Sequence, residues 1–310
     1  MPSDLKPFEQ LPFSQVPETP RIPHPYFEAA QRKVAVRSAH FGNVEVHVSV
    51  FGEGPPLLLL HGLMTASYSF RYLLEPLGRH FTLYLPDLIG AGRSDKPRTS
   101  YGPDDLARSV GEVMRELGIW GAPAIGNSMG GYLLMRLALQ DPSAMSRLVN
   151  LHSPGIPTAR TYALSAVSAI PPIMEGVLSV LVGSNAERWV HRNVHYYDET
   201  LKSREEHREY AAALMSEGGI AAFSRHLSDT LGVTEMRRFE DKLGKLDRFP
   251  IPLLLVYVKQ DKMVPPVVGE RLAKLIPDAR IEWLERASHF AHVDAPEDFL
   301  RVALPFLTAP

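Results

Sequence analysis

The chain contains no cysteine. That excludes a disulfide framework, a thiol nucleophile and any thiolate-held metal, and it fits a reducing compartment. Net charge is also scarce, at -2 from 33 basic and 35 acidic residues with a pI near 6.6. A chain so balanced lacks the basic footprint of a nucleic-acid binder and the attraction that would hold it on an anionic membrane. Its opening residues, MPSDLKPFEQLPFSQVPETP, lack the basic start and apolar run of a secretory signal, so the chain reads as cytoplasmic. Long hydrophobic runs are missing too. The most apolar stretch, Ala163 to Val182, is broken by Pro171, Pro172, Glu175 and Gly176, whereas a spanning helix needs about 20 predominantly apolar residues. It reads instead as a pair of helices lining an apolar pocket. There is no internal repeat and no low-complexity tract.

What is present suits a large core, since 45% of 310 residues are hydrophobic. Residues 1–32 carry prolines at 2, 7, 12, 17, 20, 23 and 25 and read as an extended surface leader. Either its phenylalanines and Tyr26 pack back onto the body near a pocket mouth, or the leader is loosely held. Residues 33 to 51 alternate in polarity and break at Phe41-Gly42-Asn43, which predicts a hairpin. Leu57 to Leu60 is a short all-apolar run, as expected for a strand buried on both faces of a parallel sheet. Strands over Thr82 to Leu85, about 122 to 125 and Arg147 to Leu151 alternate with helices over about 103 to 118 and about 129 to 140. After His152 the pattern turns helical for about 75 residues, then resumes with strands over Pro252 to Val258 and Arg280 to Leu284 and helices over Pro266 to Leu275 and near Glu297 to Leu307. This is an α/β chain with a mostly parallel, doubly wound sheet and a helical insertion between two of its strands. The expected division is a leader (1–32), a first core part (33–154), a helical cap (155–232) and a second core part (233–310).

One turn stands out. In Gly126-Asn-Ser-Met-Gly130 a serine sits between glycines at the end of a short apolar strand and the start of a helix. By composition about one chain in ten would show such a pattern by accident, so the strand-turn-helix context carries the weight. That context holds a nucleophile on a strained turn, where larger neighbours would collide. Serine needs a base to take its proton and a third group to orient the base. Asp261, just beyond one later strand, and His289, just beyond the next, are placed to supply them, with His292 a rival base three residues on.

From about residue 33 the chain resembles the α/β-hydrolase fold superfamily at His61-Gly62, Asp87 through Asp95, Gly126 through Gly130, and the Asp261 and His289 pair. The resemblance implies Ser128, Asp261 and His289 as a catalytic triad and favours His289 over His292, because members place the catalytic histidine after a small residue, here Ser288. Some relatives carry the acid after the strand preceding the cap, but Leu151 to Pro157 has none. The backbone amides of Leu63 and Met129 are the implied oxyanion hole. His61, Met64, Asn127, Trp189 and Phe290 are expected in the substrate pocket. Asp87 and Asp95 are implied to be structural.

No cofactor and no metal are called for. His191 and His195 have a metal-ligand spacing but lack the glutamate of H-E-x-x-H, and read as a solvated or pocket-lining face. Lys202 to Glu209 reads as an exposed helix surface. Dehalogenases and epoxide hydrolases of this fold place Asp where Ser128 stands, so serine points to acyl transfer. The expected partner is a small-molecule carboxylic ester. The elbow also resembles meta-cleavage-product hydrolases, which break carbon–carbon bonds, while His61-Gly-Leu-Met-Thr-Ala-Ser67 and Phe290 depart from that subfamily's pattern. Some members of the fold bind ligands without turning them over, and an intact triad argues against that role.

Overall fold

A computed structural model describes residues 6–167 and 171–309. The expectation for residues 1–5 and for the middle of the Ala163 to Val182 stretch lies outside the described residues. The first strands, β1 (Ala30–Ser38) and β2 (Gly42–Phe51), form the predicted hairpin, and Gly42 occupies the turn at φ 74°. Next come β3 (Pro56–Leu60), α1 (Leu74–Gly78), β4 (Thr82–Pro86), α2 (Pro103–Glu116), β5 (Ala124–Asn127), α3 (Met129–Gln140) and β6 (Leu148–Leu151). The sheet runs in the order β1-β2-β4-β3-β5-β6, then β7 (Leu253–Val258) and β8 (Arg280–Leu284). Pairings among β3 to β8 are parallel, and those of β1 with β2 and β2 with β4 are antiparallel.

Period-two alternation sends β3 to both sides of the sheet. Leu58 and Leu60 join a core with Val110 of α2, Leu133 of α3 and Val268 of α10 (Pro266–Leu275). Leu57 and Leu59 join the opposite core with Leu74 of α1 and Phe299 of α12, where α11 (Ala291–Asp294) and α12 (Pro296–Thr308) close the chain. All four leucines are fully buried, each stabilising the fold by about 1.5–3 kcal/mol relative to exposure.

Between β6 and β7 lie α4 (Ala159–Val167), α5 (Pro171–Gly183), α6 (Ala186–Asn193), α7 (Arg204–Met215), α8 (Gly219–Arg225) and α9 (Val233–Leu243), with no strand among the described residues. Phe239 of α9 packs edge-on against Tyr132 of α3, with ring centroids 5.0 Å apart. Among the described residues no helix is long and apolar enough to cross a membrane.

The leader packs back. Proline has no N–H but keeps its carbonyl, so a proline-rich segment can accept from a neighbour that has donors to spare. Arg204 N–H at the start of α7 donates to Pro17 O at 2.8 Å, and Glu205 N–H to Glu18 O at 3.1 Å. His191 of α6 meets Leu11 O at 2.9 Å. Phe13 lies under the Arg204 guanidinium, 3.6 Å away, and stacks on His207. Tyr26 is buried with its hydroxyl 2.7 Å from Ser67 Oγ.

This packing overturns the reading of Lys202 to Glu209 as solvated. Lys202, Glu206 and His207 are buried. Glu206 pairs with Arg71, itself wholly buried between the Tyr68 and Tyr72 rings, and receives the Tyr196 hydroxyl at 2.7 Å. Lys202 pairs with Glu199 and donates to His191 O at 2.9 Å. Arg71 comes from a distant segment, so the local charge pattern could not reveal it as the partner of Glu206. Removing one partner of a buried pair leaves an uncompensated charge. Glu206→Gln is expected to lower unfolding free energy by about 3–5 kcal/mol in urea titrations, and Arg71→Met combined with Glu206→Met to recover most of that loss. A single-variant loss below about 1 kcal/mol would contradict the burial of this pair.

Candidate functional site

The β5–α3 turn holds Ser128 at φ 52° and ψ -121°. Non-glycine residues rarely adopt such backbone, and it persists only where the surroundings enforce it. Here Ser128 N–H donates to Leu151 O at 2.8 Å, and Ser128 O receives Tyr132 N–H at 3.0 Å. A Cβ on Gly126 would lie 2.6 Å from Gly131 Cα, and one on Gly130 would collide with the Leu60 carbonyl. The glycines thus let α3 start directly against β5 and β3.

Asp261 and His289 meet in space. With a proton on Nδ1, His289 donates to Asp261 Oδ2 at 2.7 Å. Asp261 Oδ1 receives the amides of Met263 at 2.6 Å and Val264 at 2.9 Å, which fixes the carboxylate plane. Burial pushes this carboxyl up, but His289 and, more weakly, His152 and the Val264 amide outweigh it, leaving it below the ordinary carboxylate value. His292 is wholly buried with its ring 5.0 Å from Phe70, and burial keeps it neutral. His152, Asp261 and His289 offer donor atoms within 4.8 Å of one another. The 2.7 Å contact is a hydrogen-bond distance, shorter than the roughly 3.3 Å that separates two ligands on a tetrahedral zinc. The cluster is built to hold a proton.

Ser128 and His289 line one cavity of about 630 Å³, within the range of small-molecule sites. Its walls are mostly apolar, including Ile156, Met174, Leu178, Phe223, Leu231 and Val268. The described lining includes no carboxylate, while Arg160 and Lys262 reach it from exposed positions. Leu63 lines it as well, and the loop passes so close that a Cβ on Gly62 would lie 2.9 Å from Ser128 Cβ. Met129 opens α3, where a helix leaves its first amides without intrahelical acceptors.

Met64, Asn127, Trp189 and Phe290 line the cavity. Asn127 Nδ2 also donates to His289 O at 3.2 Å, tying the serine turn to the histidine loop. His61 does not line the cavity, which corrects its assignment to the pocket. Its ring is buried, with Nε2 accepting Leu88 N–H at 3.0 Å and Nδ1 2.8 Å from Gly62 O. It braces the loop that carries Leu63. α6 ends at Asn193, so His191 and His195 stand on different segments, and His195 lines the cavity. Asp87 receives His47 Nδ1 at 3.0 Å and the amides of Ser67 and Arg93, and Asp95 receives Glu45 N–H, so both tie loops together. Sequence reasoning missed His152, Arg160 and Lys262. Only the absence of an acid in the segment after β6 pointed near the first.

Residues 55–296 match the family described as alpha/beta hydrolase fold, and the chain belongs to that family. It is similar to 2-hydroxy-6-oxo-2,4-heptadienoate hydrolase from Pseudomonas putida, at 24% identity over 86% of this chain and 94% of that protein. It is also similar to haloalkane dehalogenase 2 from Mycobacterium bovis, at 27% identity over 81% and 87%. Among solved structures the epoxide hydrolase CorEH superposes with a TM-score of 0.74 at 22% identity, covering 89% of this chain and 98% of that one. The differing chemistries in these names mark a shared fold, not a shared substrate.

Beside the site, Asp294 receives the amides of Tyr197 at 2.7 Å and Ser288 at 3.1 Å, yet burial outweighs them and lifts its carboxyl to about 6. The folded protein therefore holds this proton more tightly than the unfolded chain, where an aspartic acid titrates near about 3.9. The stability it contributes is full below that value and is lost as pH rises through about 6. Asp294→Asn is expected to gain on the wild type by roughly 2–3 kcal/mol between about pH 4 and pH 7. Urea titrations at both pH values check this, and a constant difference would remove Asp294 as the source.

Proposed function

We propose that this protein is a serine hydrolase that cleaves carboxylic esters of small to medium apolar substrates through an acyl-enzyme on Ser128. One observation carries the reading: a serine on strained backbone and a histidine bonded to a buried aspartate at 2.7 Å open on the same largely apolar cavity. In this reading Ser128 Oγ attacks the ester carbonyl while His289 Nε2 takes its proton. Asp261 holds the imidazole by Nδ1 and offsets the charge it acquires. The amides of Leu63 and Met129 receive the developing oxyanion, each worth about 3–4 kcal/mol of activation free energy. His289 then returns the proton to the departing alkoxide. Water, activated by the same imidazole, releases the acid and frees Ser128.

A second reading is carbon–carbon bond hydrolysis. It is favoured by the similarity, over 86% of this chain, to a relative named for a dienoate substrate. Against it stand the sequence of the Leu63 loop, His61-Gly-Leu-Met-Thr-Ala-Ser67, and Phe290 after His289.

Initial rates on p-nitrophenyl esters of increasing acyl length, beside a ring-fission dienoate, separate the two readings. The expected result is ester turnover with little action on the dienoate, and a loss of about 10³-fold or more in kcat for Ser128→Ala. The chain-length optimum then sizes the cavity. Preferential dienoate turnover would install the second reading. Failure of a fluorophosphonate to label Ser128 would overturn both and leave a binding role.

A further inference from the structure

His152 directly follows β6 and is a residue the proposed chemistry leaves unused. Its backbone sits at φ 56°, pinned by its N–H donating to Val256 O of β7 at 3.0 Å. Its ring is wholly buried, and neither ring nitrogen has a hydrogen-bond partner among the described residues. Left-handed backbone at a non-glycine residue and an unsatisfied buried polar group are both unfavourable. Yet the ring is aimed at the site. Nδ1 lies 3.3 Å from Asp261 Oδ2, the same oxygen that receives His289 at 2.7 Å, and the two imidazole centroids are 5.5 Å apart.

We propose that His152 is a positioning residue: protonated on Nδ1 and uncharged, it lays a second N–H dipole obliquely against Asp261 Oδ2, outside hydrogen-bond geometry, and limits the charge that oxygen presents to His289. The consequence is a His289 that remains unprotonated, and so able to accept the Ser128 proton, further down the pH scale than an aspartate-bound histidine alone. Only that consequence rests on the function proposed above. Burial supports the uncharged form, lowering His152 to about 3. The other groups facing this cluster do not supply the same dipole. Tyr257 of β7 stands 5.8 Å from the His152 ring but gives its hydroxyl proton to Ser153 O at 2.7 Å. His292 of α11 is buried and kept neutral, and Arg71 behind it is taken by Glu206.

The test follows the ring protons and nitrogens of His289 by NMR through a pH titration, and in parallel the pH dependence of fluorophosphonate labelling at Ser128. His152→Gly removes the imidazole without forcing a bulky side chain into left-handed backbone, and His152→Ala replaces it if the glycine variant does not fold. The expected result is a His289 midpoint raised by about half to one pH unit, a three- to tenfold gain in proton affinity. The acid limb of labelling should move with it. His152→Asn tolerates the backbone and keeps an N–H donor, so it should restore much of the shift. An unmoved midpoint in a folded variant, or asparagine no better than glycine, would overturn the proposal. A raised midpoint in a protein whose Ser128 is never labelled would defeat the proposed function while leaving the action of His152 on the pair established.

Discussion

The left-handed backbone of Ser128 is the constraint on which the rest of the site depends. It is held by two backbone hydrogen bonds and by glycines that let α3 begin where a Cβ would strike β3 or α3 itself. Once the turn is forced, the serine side chain opens on the cavity, and Met129 begins a helix with its amide unspent. The same crowding brings Gly62 against Ser128, so the Leu63 loop reaches the serine from the neighbouring strand. His61 then serves the site without touching the cavity. Its ring bridges Leu88 N–H and Gly62 O, bracing that loop from behind.

A second constraint fixes the helices over the cavity. A buried guanidinium from the segment before α1 meets a buried carboxylate from α7, inside a shell of tyrosines. Buried ion pairs add little net stability over apolar packing, but each partner strongly penalises any arrangement that separates it from the other. The pair therefore acts as a register mark for α7 against the core. The proline-rich leader completes the seal. It offers backbone carbonyls to α6 and α7, donates Gln10 Nε2 to His191 O, and puts Phe13 beneath Arg204.

Much of this was legible in the residues. The strands were readable because parallel, doubly buried strands are short continuous apolar runs, as in Leu57 to Leu60 and Leu253 to Val258. Ser128, Asp261 and His289 were readable because each stands just past such a run, where α/β sheets collect their functional groups. His61 was misassigned for an equally physical reason. It too stands past a strand, and sequence cannot say that its ring turns inward to a neighbouring amide. Lys202 to Glu209 was misread because opposite charges at helical spacing satisfy one another on a solvated face. The actual partner of Glu206 lies 135 positions away in the chain.

The sequence by itself determined the alternation of strands and helices, the strained turn at Ser128 and the chain order of the groups that follow it. These depend on local sterics and on the period of burial, which neighbours in the chain enforce. Tertiary structure alone decided which histidine meets Asp261, that His152 stands 3.3 Å from the same carboxylate oxygen, and that a charged helix lies beneath a proline-rich leader. Hydrogen bonds and buried charges act over about 3 Å, and only the folded chain brings residues so distant in sequence within that reach.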